Sequence, residues 1–361
     1  EANKLYNTNN KYFSTSLLQW YDSNSRDLPW RKTNDLYKIW LSEVMLQQTR
    51  VDTVIPYYLK WLEKYKTIKS VAEADGQKLL KLWEGLGYYS RCRNFHKACK
   101  IIVNDFIGEI PLDYQKFRSL PGVGDYTASA VFSIGLNKTY PALDGNVRRV
   151  MARVLRIKNI TKRNKKRIYN TLIKWMDKER PGDINQALMD LANKICCVDH
   201  ALCSTCPIDE ICMANNMSIP ESYPAKLEKK VIPHKEFVAG MICQGNKFLI
   251  TKRNENALLG GLWEFPGWEI VSSETPIGAL RRKIKEEWAI DINIKNKVGY
   301  VKHAYSHFKI TLTLYQCQTQ GSVKTMNREY RWITPAEIKI FPFPKSNHKL
   351  FNVLNSNGWN V

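Results

Sequence analysis

The sequence predicts a multidomain chain: an all-α domain over residues 1–215, a linker over 216–234 and an α/β domain over 235–361. Three observations carry this. Apolar residues recur at three- and four-residue spacing in FSTSLLQWY, YKIWLSEVMLQQTRVDTVIPYYLKWLEKY and IYNTLIKWM, the mark of amphipathic helices. The stretch MANNMSIPESYPAKLEKKVIPHKE (213–236) is polar and proline-punctuated, with no sustained period, as linkers are. Beyond it come β-rich runs, FVAGMIC, KFLIT, KITLTLYQC and EYRWIT, with a helical pattern, PIGALRRKIKEEWAI (276–290), between them. Short punctuators divide the first half: ADG at 74–76, GEIP at 108–111 and RPGD at 180–183.

A chain of 361 residues, 44% of them hydrophobic, is long enough for two cores. Its charge is lopsided. There are 55 Lys and Arg against 34 Asp and Glu, a net +21. Clustered cations release counterions from a polyanion, so nucleic acid is the expected partner. Residues 158–180 concentrate nine cations against two acids, which fits either a solvated helix face or a phosphate-contacting one. No run approaches the ~20 apolar residues of a membrane-spanning helix. The opening EANKLYNTNNKYF has no apolar signal core. The expectation is a cytoplasmic monomer, in the bacterial cytosol or nucleoid, with no membrane partner.

Cysteines divide into two kinds. Cys92, Cys99, Cys243 and Cys317 stand singly in apolar or mixed segments and read as small core residues. The other five lie in CCVDHALCSTCPIDEIC (196–212), where Cys196, Cys203, Cys206 and Cys212 give C-x6-C-x2-C-x5-C. Four thiolates in one short loop suit a tetrahedral zinc or a [4Fe–4S] cluster, and spacing alone leaves both open. Cys197 reads as a non-ligand.

The turn SLPGVGDYTA (119–128) lies between the helical stretches YQKFRSL and TASAVFSIG. This fits a helix–hairpin–helix over about 113–135, as it fits an ordinary connecting loop. Glycine at 122 and 124 lets the backbone approach a ligand closely, and the exposed N–H groups around Val123 would face a phosphate oxygen. Glu43, in WLSEVML, has apolar neighbours on both sides. It is either a desolvated acid or a solvent-facing residue on an amphipathic helix. Asp144, in PALDGNVRRV, is placed either to act chemically or to cap the next helix.

Taken together, the hairpin, an acid some twenty residues on and the four-cysteine loop resemble the endonuclease III superfamily of DNA glycosylases. Within it the likeness is to the MutY family of adenine DNA glycosylases. It rests on LPWR (28–31), LSEVMLQQTRV (41–51), WEGLGYYSRCRN (83–94), LPGVGDYTA (120–128), LDGNVRRV (143–150) and NQALMDLA (185–192), and spans residues from about 14 to the end. One departure is Ala192, where the family usually has glycine.

The resemblance implies roles. Glu43 protonates adenine N7 and then helps to activate water. Asp144 stabilises the sugar cation, and Asn146 orients Asp144 or the sugar–phosphate. Tyr126 stands where lyases of the superfamily carry a lysine. A phenol forms no Schiff base, so a monofunctional enzyme is expected, with Tyr126 helping to position the second carboxylate. Trp30, Arg31, Leu46 and Asp190 line the adenine pocket. Because the base must be flipped out, Gln48 beside Thr49 wedges into the stack and Tyr88 stacks by the partner base. The loop takes up a [4Fe–4S] cluster, and the partner is duplex DNA with 8-oxoguanine:adenine or G:A mispairs.

The second half resembles a Nudix domain. Setting Glu286 and Glu287 on the paired acids of the Nudix box puts Arg282 on its arginine. Lys283 then falls where a glutamate belongs and Ala289 where a glycine belongs, while Gly267 to Glu274 is one residue too long. A lysine among metal-binding carboxylates removes charge that Mg²⁺ needs. The expectation is a retained fold without pyrophosphatase activity. The resemblance assigns such a domain to reading 8-oxoguanine, here through Tyr305, Ser306 and His307, with Tyr305 where the family has phenylalanine. Three rivals remain: a lyase for oxidised pyrimidines, a non-catalytic lesion binder, and a Nudix hydrolase with a DNA-binding appendage.

Overall fold

The computed structural model describes residues 2–226, 231–271, 274–319, 321 and 328–361, with side chains from residue 10 onward. In chain order the helices are α1 (Ala2–Asn24), α2 (Leu36–Leu46), α3 (Val51–Lys64), α4 (Ile68–Ala72), α5 (Gly76–Trp83), α6 (Ser90–Asp105), α7 (Tyr114–Arg118), α8 (Asp125–Leu136), α9 (Gly145–Val154), α10 (Lys162–Trp175), α11 (Pro181–Lys194), α12 (Pro276–Trp288) and α13 (Lys345–Ser356). The strands are β1 (His234–Gln244), β2 (Lys247–Lys252), β3 (Trp263–Glu264), β4 (Gly267–Glu269), β5 (Asn293–Ala304), β6 (Lys309–Gln318) and β7 (Tyr330–Ile333). Packing divides the chain into two units, Glu1–Ala72 with Asn94–Glu228, and Glu73–Arg93 with Lys229–Val361.

The first unit is all helix. Its α2 is largely apolar, and residues Ile39 to Met45 are buried without a break. A helix of that kind sits inside a core. Asp35 caps it, accepting from the N–H of Tyr37 at 2.9 Å. Aromatic rings fill the space around it: Trp40 lies 4.4 Å from Phe95 and 5.5 Å from Phe117. A second core gathers the apolar faces of α1, α9, α10 and α11 around Phe13, Val150, Leu172 and Leu188. The polar stretch after the cysteine loop also packs here as far as Lys226. Pro220 is buried, Arg153 donates to the Tyr223 carbonyl at 3.0 Å, and the Ala225 N–H donates to Lys158 O at 2.7 Å.

The second unit is built on a seven-stranded sheet ordered β3-β2-β1-β6-β5, with β4 beside β1 and β7 beside β2. The β1–β6 pair is parallel and the others antiparallel. Strand β1 is apolar on both faces, as a strand covered on both sides must be. Val238 and Ile242 face α12 with Leu280 and Ile284, while Ala239 and Met241 face α13 with Leu350 and Leu354. All four predicted β runs and the predicted 276–290 helix are present. Cys92, Cys99 and Cys317 are buried as expected, and Cys243 is partly so.

Helices α8 and α11 cross closely because Gly182 has no side chain. A Cβ there would lie 2.7 Å from both Ile134 Cα and Ser133 O. Gly182→Ala is expected to destabilise the fold by about 1–3 kcal/mol through overpacking against backbone, read as a lower melting temperature.

Candidate active site

Burial of α2 carries Glu43 with it. Its side chain is 4% exposed. The Tyr126 hydroxyl donates to its Oε2 at 2.8 Å. Desolvation pushes Glu43 up to about 7. The Tyr126 bond pulls the other way, the Asp144 charge pushes up further, and Arg31 pulls down. Burial also raises Tyr126 well above the usual phenol range, so it stays a neutral donor. The phenol thus holds the first acid, Glu43, and its hydroxyl also lies 3.7 Å from Met189 Sδ.

Asp144 fills both roles open to it. It caps α9, with Oδ1 accepting from the Val147 N–H at 2.7 Å, while Oδ2 accepts from Asn146 Nδ2 at 3.0 Å. Its approach is set by Asn185, fully buried on α11. That amide accepts from the Ala142 N–H at 3.0 Å and donates to the Tyr140 carbonyl at 2.9 Å. Asn146 is held in turn by Arg149 Nη1 at 3.0 Å, and the same guanidinium donates to the Cys196 carbonyl (3.0 Å) and the Ala192 carbonyl (2.9 Å). A continuous polar chain therefore runs from Asp144 to the cysteine loop. Asn185 and Arg149 escaped the sequence reading. Their only signal was position: one sits in NQALMDLA, the other three residues, one helical turn, after Asn146.

Asp190 is fully buried. Arg31 Nη1 donates to Oδ2 at 2.7 Å and Arg26 Nε to Oδ1 at 2.7 Å. Burial pushes this carboxyl up, but the two guanidiniums more than offset it and hold it below the usual range. Arg26 too was missed, since an arginine in a polar stretch carries no sequence signal of its own. Trp30 is buried, edge-on to Tyr58 at 5.3 Å. Leu46 and Thr49 are half-buried at the end of α2, and exposed Gln48 between them has φ +57°.

The hairpin between α7 and α8 is present. Gly122 needs its glycine: φ is +77°, and a Cβ would fall 2.8 Å from Asn94 Cβ. Val123 is buried and its N–H closes the turn on the Leu120 carbonyl at 3.0 Å. Gly122 and Gly124 are exposed.

In the cysteine loop the donor set is internally consistent. The thiols of Cys203, Cys206 and Cys212 are pushed up by burial and by one another and Cys196. Backbone N–H groups of Ile208, Ala214 and Asn215 aim at Cys206 and Cys212, and Arg153 Nη1 lies 3.2 Å from Cys196 Sγ. Such donors stabilise thiolates. Cys197 turns to the Asn193 carbonyl instead. Among the described residues no three His, Cys, Asp or Glu side chains form a site for a single metal ion.

In the second unit, a cavity of about 390 Å³ is lined by Tyr88, Tyr305, Ser306, His307, Leu259 and Lys345, among others. The four residues singled out from two distant motifs meet here. Tyr88 and Ser306 share a hydrogen bond of 2.6 Å, and Tyr305 bonds Ser346 Oγ at 3.3 Å. The Nudix-type acids are tied up elsewhere. Arg282 binds Glu274 (2.6 Å) and Glu286 (2.9 Å), Lys283 approaches Glu286, and Glu287 accepts from Trp268.

A helical unit with a buried acid, a hairpin and a capped aspartate defines the helix–hairpin–helix glycosylase class. Residues 41–178 match the HhH-GPD superfamily of base excision DNA repair proteins, and 237–353 match the NUDIX domain. A solved thermostable thymine-DNA glycosylase superposes with TM-score 0.55 at 27% identity, covering 58% of this chain and 98% of that one. The adenine DNA glycosylase of Homo sapiens is 32% identical, covering 94% of this chain and 73% of the relative. That of Buchnera aphidicola is 36% identical, covering 82% and 83%. The chain belongs to the adenine DNA glycosylase family. No helix among the described residues is long and apolar enough to cross a membrane.

Asp190→Asn leaves two guanidiniums facing a buried amide. Losing one partner of a buried ion pair should destabilise the fold by about 3 kcal/mol, measured by denaturant unfolding.

Proposed function

We propose that this chain is a monofunctional DNA glycosylase that flips adenine out of duplex DNA and removes it where it faces 8-oxoguanine or G. The observation that carries the reading is the buried Glu43 carboxyl, raised to about 7 and bonded by Tyr126. Adenine leaves only when a ring nitrogen is protonated, and an acid that keeps its proton near neutral pH can supply it. Glu43 delivers that proton to N7; as a carboxylate it then draws a proton from the attacking water. Asp144, held by the Val147 N–H and by Asn146, places negative charge by the C1′ cation. Tyr126 has no amine to form a Schiff base, so the strand stays intact.

The remaining residues bind and select. Arg31, fixed by Asp190, lines the adenine pocket with Trp30 and Leu46, and Gln48 with Thr49 fills the gap left by the flipped base. Gly122, Val123 and Gly124 present the hairpin to a phosphate. Tyr88, Tyr305, Ser306 and His307 surround the cavity that takes the opposite base, 8-oxoguanine above all. Arg282 and Lys283, occupying the Nudix-type acids, support a domain that recognises rather than hydrolyses. Cys196, Cys203, Cys206 and Cys212 would hold a [4Fe–4S] cluster, which staples the loop that Arg149 links to Asn146.

Duplexes bearing 8-oxoguanine:A, thymine glycol:A or no lesion should show alkali-dependent breaks at the adenine alone. Breaks without alkali would instead indicate a lyase, and none at all a lesion binder. Because Glu43 works protonated, the single-turnover rate should fall as pH rises through about 7. Tyr126→Phe removes a bond that lowers this pKa, so the alkaline limb should move to higher pH. Glu43→Gln should lower the rate by roughly a hundredfold or more while mispair binding persists. Elemental analysis should find iron with acid-labile sulfide in the ratio of a [4Fe–4S] cluster; a single zinc would overturn that assignment.

A further inference from the structure

Residues 73–93 lie early in the chain, yet they pack within the second unit. Gln77 and Arg93 bond to the 255–263 segment, and a second group of polar contacts converges on one side chain. Glu84 is largely buried, 15% exposed. Its Oε1 accepts from the Phe343 N–H at 2.7 Å and from His348 Nε2 at 2.8 Å. Its Oε2 accepts from Lys81 Nζ at 2.6 Å, and that ammonium also donates to the Phe341 carbonyl at 2.9 Å. Burial pushes this carboxyl up; the His348, Lys81 and Phe343 donors overcome that and hold it below the usual range. Glu84 is therefore a carboxylate at neutral pH. The reaction described above makes no use of it.

Its neighbours on both sides lead to the lesion cavity. Along the chain, a turn built on Gly85 (φ +96°) and Gly87 (φ +78°) ends at Tyr88 (φ +48°). The turn is stiff: Trp83 Nε1 donates to the Gly87 carbonyl at 3.0 Å, as does Arg91 Nη2 at 3.0 Å, and the Gly85 N–H bonds Tyr89 Oη at 3.1 Å. Across the unit, the segment that Glu84 grips, 341–348, contains Ser346. That serine bonds the Tyr305 hydroxyl, and Lys345 beside it lines the cavity. One buried carboxylate is thus anchored to the segments that carry both aromatic walls of the cavity.

We propose that Glu84 is a positioning residue for opposite-base selectivity. It fixes the distance between Tyr88 and the Tyr305–Ser306–His307 loop, and so sets how the cavity accepts 8-oxoguanine rather than guanine. Glu84 touches neither base itself. This rests on the reading of that cavity given above, and the two can fail separately.

The test compares single-turnover excision of adenine opposite 8-oxoguanine and opposite G, using the full chain. Wild type should prefer the 8-oxoguanine duplex; no preference would overturn the reading of the cavity. Glu84→Ala should cut that preference roughly tenfold, the scale of one lost charged hydrogen bond, chiefly through a weaker KM for the 8-oxoguanine duplex. His348→Ala, which removes one donor only, should give a smaller loss in the same direction, and serves if Glu84→Ala does not fold. Tyr88→Phe and Ser306→Ala should show the same split. A folded Glu84→Ala protein with wild-type preference, or with both rates lowered equally, would overturn the proposal.

Discussion

The proposed chemistry turns on a balance at one carboxyl. Burying Glu43 in an apolar helix drives its pKa up; the hydrogen bond from Tyr126 restrains the rise. Without burial the acid would be ionised at neutral pH and useless as a proton donor. Without the phenol it would hold its proton too tightly and lie free to rotate. The result near 7 suits the proposed role, in which one acid gives a proton and then takes one from water. Such a balance requires a scaffold that does not yield, which the unbroken burial of Ile39 to Met45 and the aromatic packing around Trp40 provide.

The second acid is treated in the opposite way. Asp144 sits at a helix N-terminus, half-buried, with a backbone N–H and an amide directed at its two oxygens. These donors fix how the carboxyl lies at the start of α9. Two carboxyls in one unit thus receive unlike environments, one sealed in an apolar helix and the other ringed by donors. Pairs of that kind divide acid and charge-stabilising duties. The Asp144 charge also pushes Glu43 upward, so the second acid helps to define the first one's role.

Much of this was legible. The helical period, the β runs and the polar stretch between them marked two unlike halves, and long motifs marked Glu43, Asp144 and the cysteines. What could not be read were the residues acting through others. Arg26, Arg149 and Asn185 show no pattern of their own; they matter because of where tertiary packing delivers their hydrogen bonds. The grouping of 73–93 with the second unit is of the same kind. Its helix α5 has an ordinary amphipathic period, and nothing local says which core that face will join.

The charge of the chain bears on the same balance. A net +21 suits a polyanion, yet each nearby cation lowers a carboxyl pKa, as Arg31 does for Glu43. The fold limits that conflict by committing the cations close to the acid. Arg31 and Arg26 share the Asp190 carboxylate, and Arg149 points into backbone carbonyls. The uncommitted positive charge lies on exposed surfaces such as the first turns of α10, where Lys162, Arg163, Lys165, Lys166 and Arg167 face solvent. Placed there, near no acid cap, those cations oppose the helix dipole, a penalty that solvent screening keeps small. Separating a cationic exterior from a guarded acidic interior lets one molecule hold a phosphate backbone and still keep a proton on Glu43.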